Sequence, residues 1–87
     1  MTAYVRDAWV RKCIRLGVVL RQLRKSSDQS LRDIEHLTGI SNPMLSQIEQ
    51  GKRLPGMVTM LKLAGVYRVS IDWILLRAGF YDDSPNP

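Results

Sequence analysis

The sequence predicts an all-α fold of five helices around one core, and three features predict it. Apolar residues recur at helical spacing, as in Leu16, Val19, Leu20 and Leu23. The segments so marked are divided by small clusters of Ser, Asp, Asn, Gly and Pro, the residues with which helices begin and end. No stretch alternates apolar and polar residues as a strand does, and a chain of 87 residues has room for a single modest core. There is no internal repeat and no low-complexity segment.

The first helical pattern runs through Tyr4, Val5, Ala8 and Trp9 and then through Leu16 to Leu23, as one long helix or as two interrupted at Gly17. The polar cluster at 25–29 ends it. Ser30 followed by Asp33 opens a second helix, the hydroxyl capping a free amide and the carboxylate lying near the positive helix end. Ile34 and Leu37 mark its buried side, and it lasts about two turns. Gly39 supplies the permissive backbone of a tight turn. Ser41 or Asn42 caps a third helix with Pro43 in its first turn, Leu45 and Ile48 inside, and Gly51 at its end.

A basic loop, Lys52-Arg53-Leu54-Pro55-Gly56, leads to a fourth helix over 57–66 that buries Met60, Leu61 and Ala64. Ser70 caps a fifth, with Trp73, Ile74 and Leu76 apolar and Gly79 at its end. The chain thus divides into a basic amphipathic extension (1–15), a compact five-helix domain (16–79) and an acidic, Pro-containing flexible tail (80–87) that carries Asp82 and Asp83.

The net charge of +5 calls for an anionic partner: nucleic acid, an acidic protein or a membrane surface. The excess lies in residues 1–25, where Arg6, Arg11, Lys12, Arg15, Arg21, Arg24 and Lys25 face only Asp7. Cys13 has no second cysteine to pair with, which fits a reducing compartment. No apolar run approaches the roughly 18 residues of a membrane span, and the charged N-terminus is not a signal peptide, so a cytoplasmic protein is expected. His36, the only histidine, makes no metal site with one distant cysteine, and Cys13 has no partners at a catalytic spacing. No Gly-rich phosphate loop is present either. The expectation is therefore no enzyme, no cofactor and no metal, with the four methionines and Trp73 as core or interface fillers.

What remains is the pair of short helices at 30–50. Two such helices joined by a tight turn set the second across the surface as a rod of the size that enters the major groove of DNA. Its outward residues, Asn42, Ser46, Gln47 and Gln50, are uncharged hydrogen-bonding groups. Asn and Gln read adenine bidentately, each good pair discriminating by about 1–3 kcal/mol. Lys52 and Arg53, just past the rod, are placed to hold phosphates.

On these residues the sequence resembles the lambda-repressor/Cro (XRE-like) family of helix-turn-helix DNA-binding domains. The likeness covers 16–79 through LRQLRK, SLRDIEHLTGISNPMLSQIEQGKRLP and VSIDWILLRAG, and TGIS with LSQIE is its most specific part. The resemblance implies a lambda-repressor-like fold and a sequence-specific, double-stranded-DNA-binding regulator, a repressor acting as a homodimer on an inverted-repeat operator. Gln47 falls at the family's central base-reading position and Asn42 at an early one; Arg24 and Glu49 match a salt bridge between first and third helices. Trp73, Phe80 and Tyr81, with Tyr4 and Trp9, are candidates for the pairing surface.

Two positions depart from the family pattern. Glu35 stands where relatives carry a small residue and is a competitor for Arg24, and Leu31 stands where many carry a phosphate-binding Gln. Phosphate contact then falls to Gln29, Ser30, Arg32 and the amides opening the second helix, with Ser41 as cap, phosphate ligand or both. For residues 1–15 three readings stay open: a packed or dimerising helix, an arm along DNA, or an amphipathic membrane-surface helix. The alternative for the whole chain is an antitoxin-like or adaptor domain with another protein as its main partner.

Overall fold

The computed structural model describes residues 2–81, with side chains from residue 6 onward. Five α-helices follow in order: α1 (Thr2–Ser26), α2 (Leu31–Thr38), α3 (Asn42–Glu49), α4 (Met57–Tyr67) and α5 (Ile71–Arg77). No strand occurs among the described residues. Leu16 and Leu20 of α1 meet Ile34, Leu45, Ile48, Leu63 and Ile74 in one core, so every helix contributes to it.

α1 is a single helix and Gly17 does not interrupt it. The residue has a tertiary reason instead. A Cβ at position 17 would stand 2.5 Å from the carbonyl oxygen of Ile48 and nearer still to that of Glu49. Only a glycine lets α1 cross the end of α3 so closely, and that contact outweighs the about 1 kcal/mol that glycine costs inside a helix.

Local hydrogen bonding sets the other boundaries. The Ser30 hydroxyl accepts from the Asp33 amide at 3.0 Å while the Asp33 carboxylate accepts from the Ser30 amide at 2.8 Å, a complete capping box. That pairing, first with the backbone and then with the hydroxyl, holds the Asp33 carboxyl below its ordinary pKa. At the far end Gly39 adopts φ +78°, and the Thr38 hydroxyl donates to the Ile34 carbonyl while accepting from the Ile40 amide. Ser41, not Asn42, caps α3, accepting from the Met44 amide at 3.3 Å. Ser70 caps α5 in the same way.

Two expected core residues lie outside. The inward face of α2 runs through Leu31, Ile34, Glu35 and Thr38, so Leu37 falls off it and is 57% exposed. In α4 the buried set is Met60, Leu63, Ala64 and Tyr67, which turns Leu61 to solvent. The extension is continuous with the domain, and from Trp9 onward it packs on the end of α5. The Trp9 ring lies 5.9 Å from that of Phe80, and the Lys12 ammonium donates to the Gly79 carbonyl at 3.0 Å. Phe80 is half-buried, and the Tyr81 hydroxyl donates to Asp72 at 3.1 Å, so residues 80 and 81 belong to the packed body and not to a loose tail. Tyr4 and Val5 lie outside the described side chains, and 82–87 outside the described residues.

Gly17→Ala is expected to lower stability by about 1–3 kcal/mol through overpacking, although alanine is the better helix former. Urea unfolding followed by helix content checks it; a stabilised variant would show that α1 and α3 are not in backbone contact.

Candidate nucleic-acid interface

α3 is two turns long and cannot hold itself helical in water; its position comes from neighbours. Leu45 and Ile48 anchor its inner face in the core. Its C-terminal end is gripped by Arg24, whose Nε donates to Glu49 Oε2 at 2.8 Å and Nη2 to Glu49 Oε1 at 2.9 Å. A third bond, from Nη1 to the Gln29 carbonyl at 3.0 Å, reaches the turn before α2. One guanidinium therefore ties α1, α3 and the approach to α2 together.

The pair is largely shielded, its side chains being 12% and 9% exposed. The Glu49 hydrogen bond raises the Arg24 pKa further above its ordinary value. Glu35 does not displace Glu49, which supplies both carboxylate oxygens of the fork. Beside the pair, the Tyr67 hydroxyl is pushed up to about 12, by burial first and by the Glu49 charge second.

With its inner face and end fixed, α3 presents its other side outward. Gln47 and Gln50 are exposed, and Asn42 and Ser46 are partly so. Gln50 donates through Nε2 to the Ser46 hydroxyl at 2.8 Å, so these two act as a joined unit one turn apart. Ser30 and Ser41 both accept a helix amide, which leaves each hydroxyl its proton to donate. Arg32, Lys52 and Arg53 are exposed at the edges of the unit, and Gln29 is half-buried with its carbonyl already engaged by Arg24.

Sequence reasoning missed two residues. Arg21 lines a groove with Leu31, Ser46 and Gln50, and Lys25 lines another with Gln29 and Ser30. From α1, Arg21 stands beside the Ser46–Gln50 side of α3, and Lys25 beside the approach to α2. The signal was available in the helical spacing, since 21 and 25 lie within one turn of Arg24, the arginine that grips Glu49. Leu31 points into the body as a half-buried residue packed on the core.

The pairing candidates do not gather on one surface. Phe80 sits with Trp9, whereas Trp73 lies under the Arg77 guanidinium, 4.8 Å from its ring, in a groove shared with Val19, Gln22 and Leu23. No cluster of metal-ligating side chains occurs among the described residues, and no helix there is long and apolar enough to cross a membrane.

Two short helices crossing at a glycine turn, the second polar outward and fixed from behind, define a helix-turn-helix protein. The helix-turn-helix family model matches residues 20–74. An uncharacterised HTH-type transcriptional regulator of Mycobacterium tuberculosis is 35% identical over 68 residues, covering 78% of this chain and 49% of that protein. The HTH-type transcriptional regulator DdrOP3 of Deinococcus deserti is 36% identical over 64 residues, covering 74% and 50%. Among solved structures, the restriction-modification controller protein C.AhdI of Aeromonas hydrophila superposes with a TM-score of 0.68 at 26% identity over 71% of this chain and 94% of that one. The clp gene regulator ClgR of C. glutamicum shares the fold, with a TM-score of 0.71 at 20% identity over 90% and 96%. The chain belongs to the XRE-like helix-turn-helix family of DNA-binding transcriptional regulators, a class without enzymatic activity. It spans about half the length of the curated relatives it matches.

Glu49→Ala is expected to cost about 2 kcal/mol, because it strands a shielded guanidinium. Urea midpoints check it, and an unchanged midpoint would mean the fork is ornamental. A phenol with a raised folded pKa keeps its proton while the unfolded chain ionises, so Tyr67 contributes stability that declines as pH rises from its ordinary value of 10.0 toward 12. Wild type should therefore lose more stability than Tyr67→Phe between about pH 8 and about pH 11; parallel profiles would remove Tyr67 from the linkage.

Proposed function

We propose that the chain is a sequence-reading repressor that binds double-stranded DNA as a homodimer, with α3 in the major groove. The observation that carries the reading is the Arg24 fork, which fixes α3 from behind while Gln47, Asn42 and the Ser46–Gln50 unit stay on its outward side. In this reading Gln47 and Asn42 read base edges with Ser46 and Gln50 beside them. Ser30, Ser41, Arg32, Lys52 and Arg53 hold phosphates, and the exposed amides opening α2 add to them. Gln29 contributes as a scaffold, through the carbonyl that Arg24 binds.

Arg21 and Lys25 join this set from α1. Leu31 has no polar group to offer, and at the phosphate beside the start of α2 these two cations add to Ser30, Arg32 and the opening amides. The operator is an inverted repeat whose half-sites lie about 34 Å apart, one helical turn, so that two copies of α3 enter successive grooves. Repression follows from occupancy of that site.

Selection of bound sequences from a random duplex pool tests the reading. An inverted-repeat winner is expected, with Gln47→Ala relaxing preference at one position of each half-site by about 1–3 kcal/mol and leaving the fold intact. Arg21→Gln and Lys25→Gln should each weaken binding evenly across sequences and reduce the salt slope by about 1. A pool without a winner, bound only in a steeply salt-dependent way, would overturn the base-reading assignment and bring forward the antitoxin-like or adaptor alternative.

A further inference from the structure

The outward side of α3 is not uniform. Residues 43, 46, 47 and 50 lie three or four apart and share one face, and of these Ser46, Gln47 and Gln50 are polar whereas Pro43, one turn toward the N-terminus, is hydrocarbon. Pro43 is the one exposed apolar residue of α3. Met44 packs against the core, and Leu45 and Ile48 are buried in it.

A proline fits the opening turn of a helix because no amide proton is needed there. It also leaves that end short of donors. Met44 gives its amide to the Ser41 hydroxyl and Leu45 gives its own to the Ser41 carbonyl, and Pro43 has none, so the turn offers only the amide of Asn42. The opening of α2 keeps two, on Leu31 and Arg32, since Asp33 and Ile34 are the ones engaged at Ser30. Of the two helix ends, that of α2 is therefore the better phosphate cradle, and α3 opens instead with a rigid apolar ring.

We infer that Pro43 reads the C5-methyl group of a pyrimidine in the operator, so that an apolar contact helps to select each half-site. The inference rests on the DNA reading above and deepens it. The N-terminal residues of a rod in the major groove are those that reach base edges, so the exposed ring becomes covered there. Set against a ring nitrogen, a carbonyl or an amino group it would strip water from a polar atom and return nothing. The C5-methyl is the hydrocarbon group that the major groove displays, on thymine and equally on 5-methylcytosine. A ring closed onto the backbone has no side-chain freedom to lose on contact. Gln47 lies one turn away, about 5–6 Å between Cβ atoms, and base pairs rise about 3.4 Å each, which sets the methyl about one or two base pairs from the position that Gln47 reads.

The selected duplex provides the test. In one half-site each thymine is replaced in turn by uracil, which removes the methyl and nothing else, and each cytosine by 5-methylcytosine. Binding is measured for wild type, for Pro43→Ser and for Leu37→Ser, the last altering an exposed apolar residue of α2 that is off this face. One pyrimidine, one or two base pairs from the position that Gln47→Ala relaxes, should respond: the methyl should be worth about fourfold in wild-type affinity, the equivalent of about 0.8 kcal/mol for one buried carbon. Pro43→Ser should be indifferent to that methyl with unchanged helix content, and Leu37→Ser should keep the full effect. A responding thymine makes thymine the source of the methyl, and a cytosine bound about fourfold tighter once methylated makes methylcytosine the source. Wild type indifferent to every methyl, or a methyl effect that survives in Pro43→Ser, would overturn the inference and leave the inverted repeat and its dependence on Gln47 standing. A pool without a winner would overturn it together with the DNA reading. Should Pro43→Ser fail to fold, Pro43→Gln takes its place with the same outcomes.

Discussion

The close crossing of α1 over the end of α3 is the contact on which the rest depends. At Gly17 backbone meets backbone, because no side chain fits against the Ile48 and Glu49 carbonyls. About two turns further on, Arg24 takes both oxygens of Glu49 and the Gln29 carbonyl. Steric fit fixes how near the helices come, and the planar fork fixes their rotation. The guanidinium also sits at the negative end of the α3 dipole, where a cation is favoured. An eight-residue helix without these ties would fray.

From that crossing the surface separates into two kinds. The side formed by α3, the opening of α2 and the last turns of α1 carries amides, hydroxyls and cations. The outward side of α4 carries Met57, Val58 and Leu61. Hydration makes the two incompatible: phosphates need hydrogen-bond donors, and a methionine or valine beside one would strip its water without return.

Features held by local hydrogen bonds were legible in the sequence. Ser30, Ser41 and Ser70 cap helices because a hydroxyl one residue ahead of a helix has a free amide within reach, whatever the tertiary structure. Gly39 was legible for a similar reason. Gly17 was not, since its propensity argues for a break and only the partner helix explains it. Leu37 and Leu61 were misplaced because apolar character shows what tolerates burial, whereas the direction in which α2 and α4 rest on their neighbours decides what is buried. The fork between Arg24 and Glu49, 25 residues apart, came from family likeness; no local rule links them. Arg21 and Lys25 read as ordinary charges until α1 was seen to run beside α3.

Those two cations also give the charge asymmetry of the chain a structural sense. The excess in the first 25 residues leaves an arm along DNA as one of three open readings, yet from Trp9 onward α1 is pinned by its ring contact with Phe80 and by the Lys12 bond to Gly79. A pinned helix cannot follow DNA as an arm does; it can only hold charge at fixed places. Leu31 packs on the core, so the start of α2 has no hydrogen-bonding side chain at that position. Cations held on rigid α1, beside the groove that Leu31 shares with Ser46 and Gln50, are the compensation this chain has to hand. Under the proposed function, the departure from the family pattern on α2 and the surplus of arginine and lysine on α1 are then one adjustment: phosphate contact moves from one helix to the next without moving the reading helix between them.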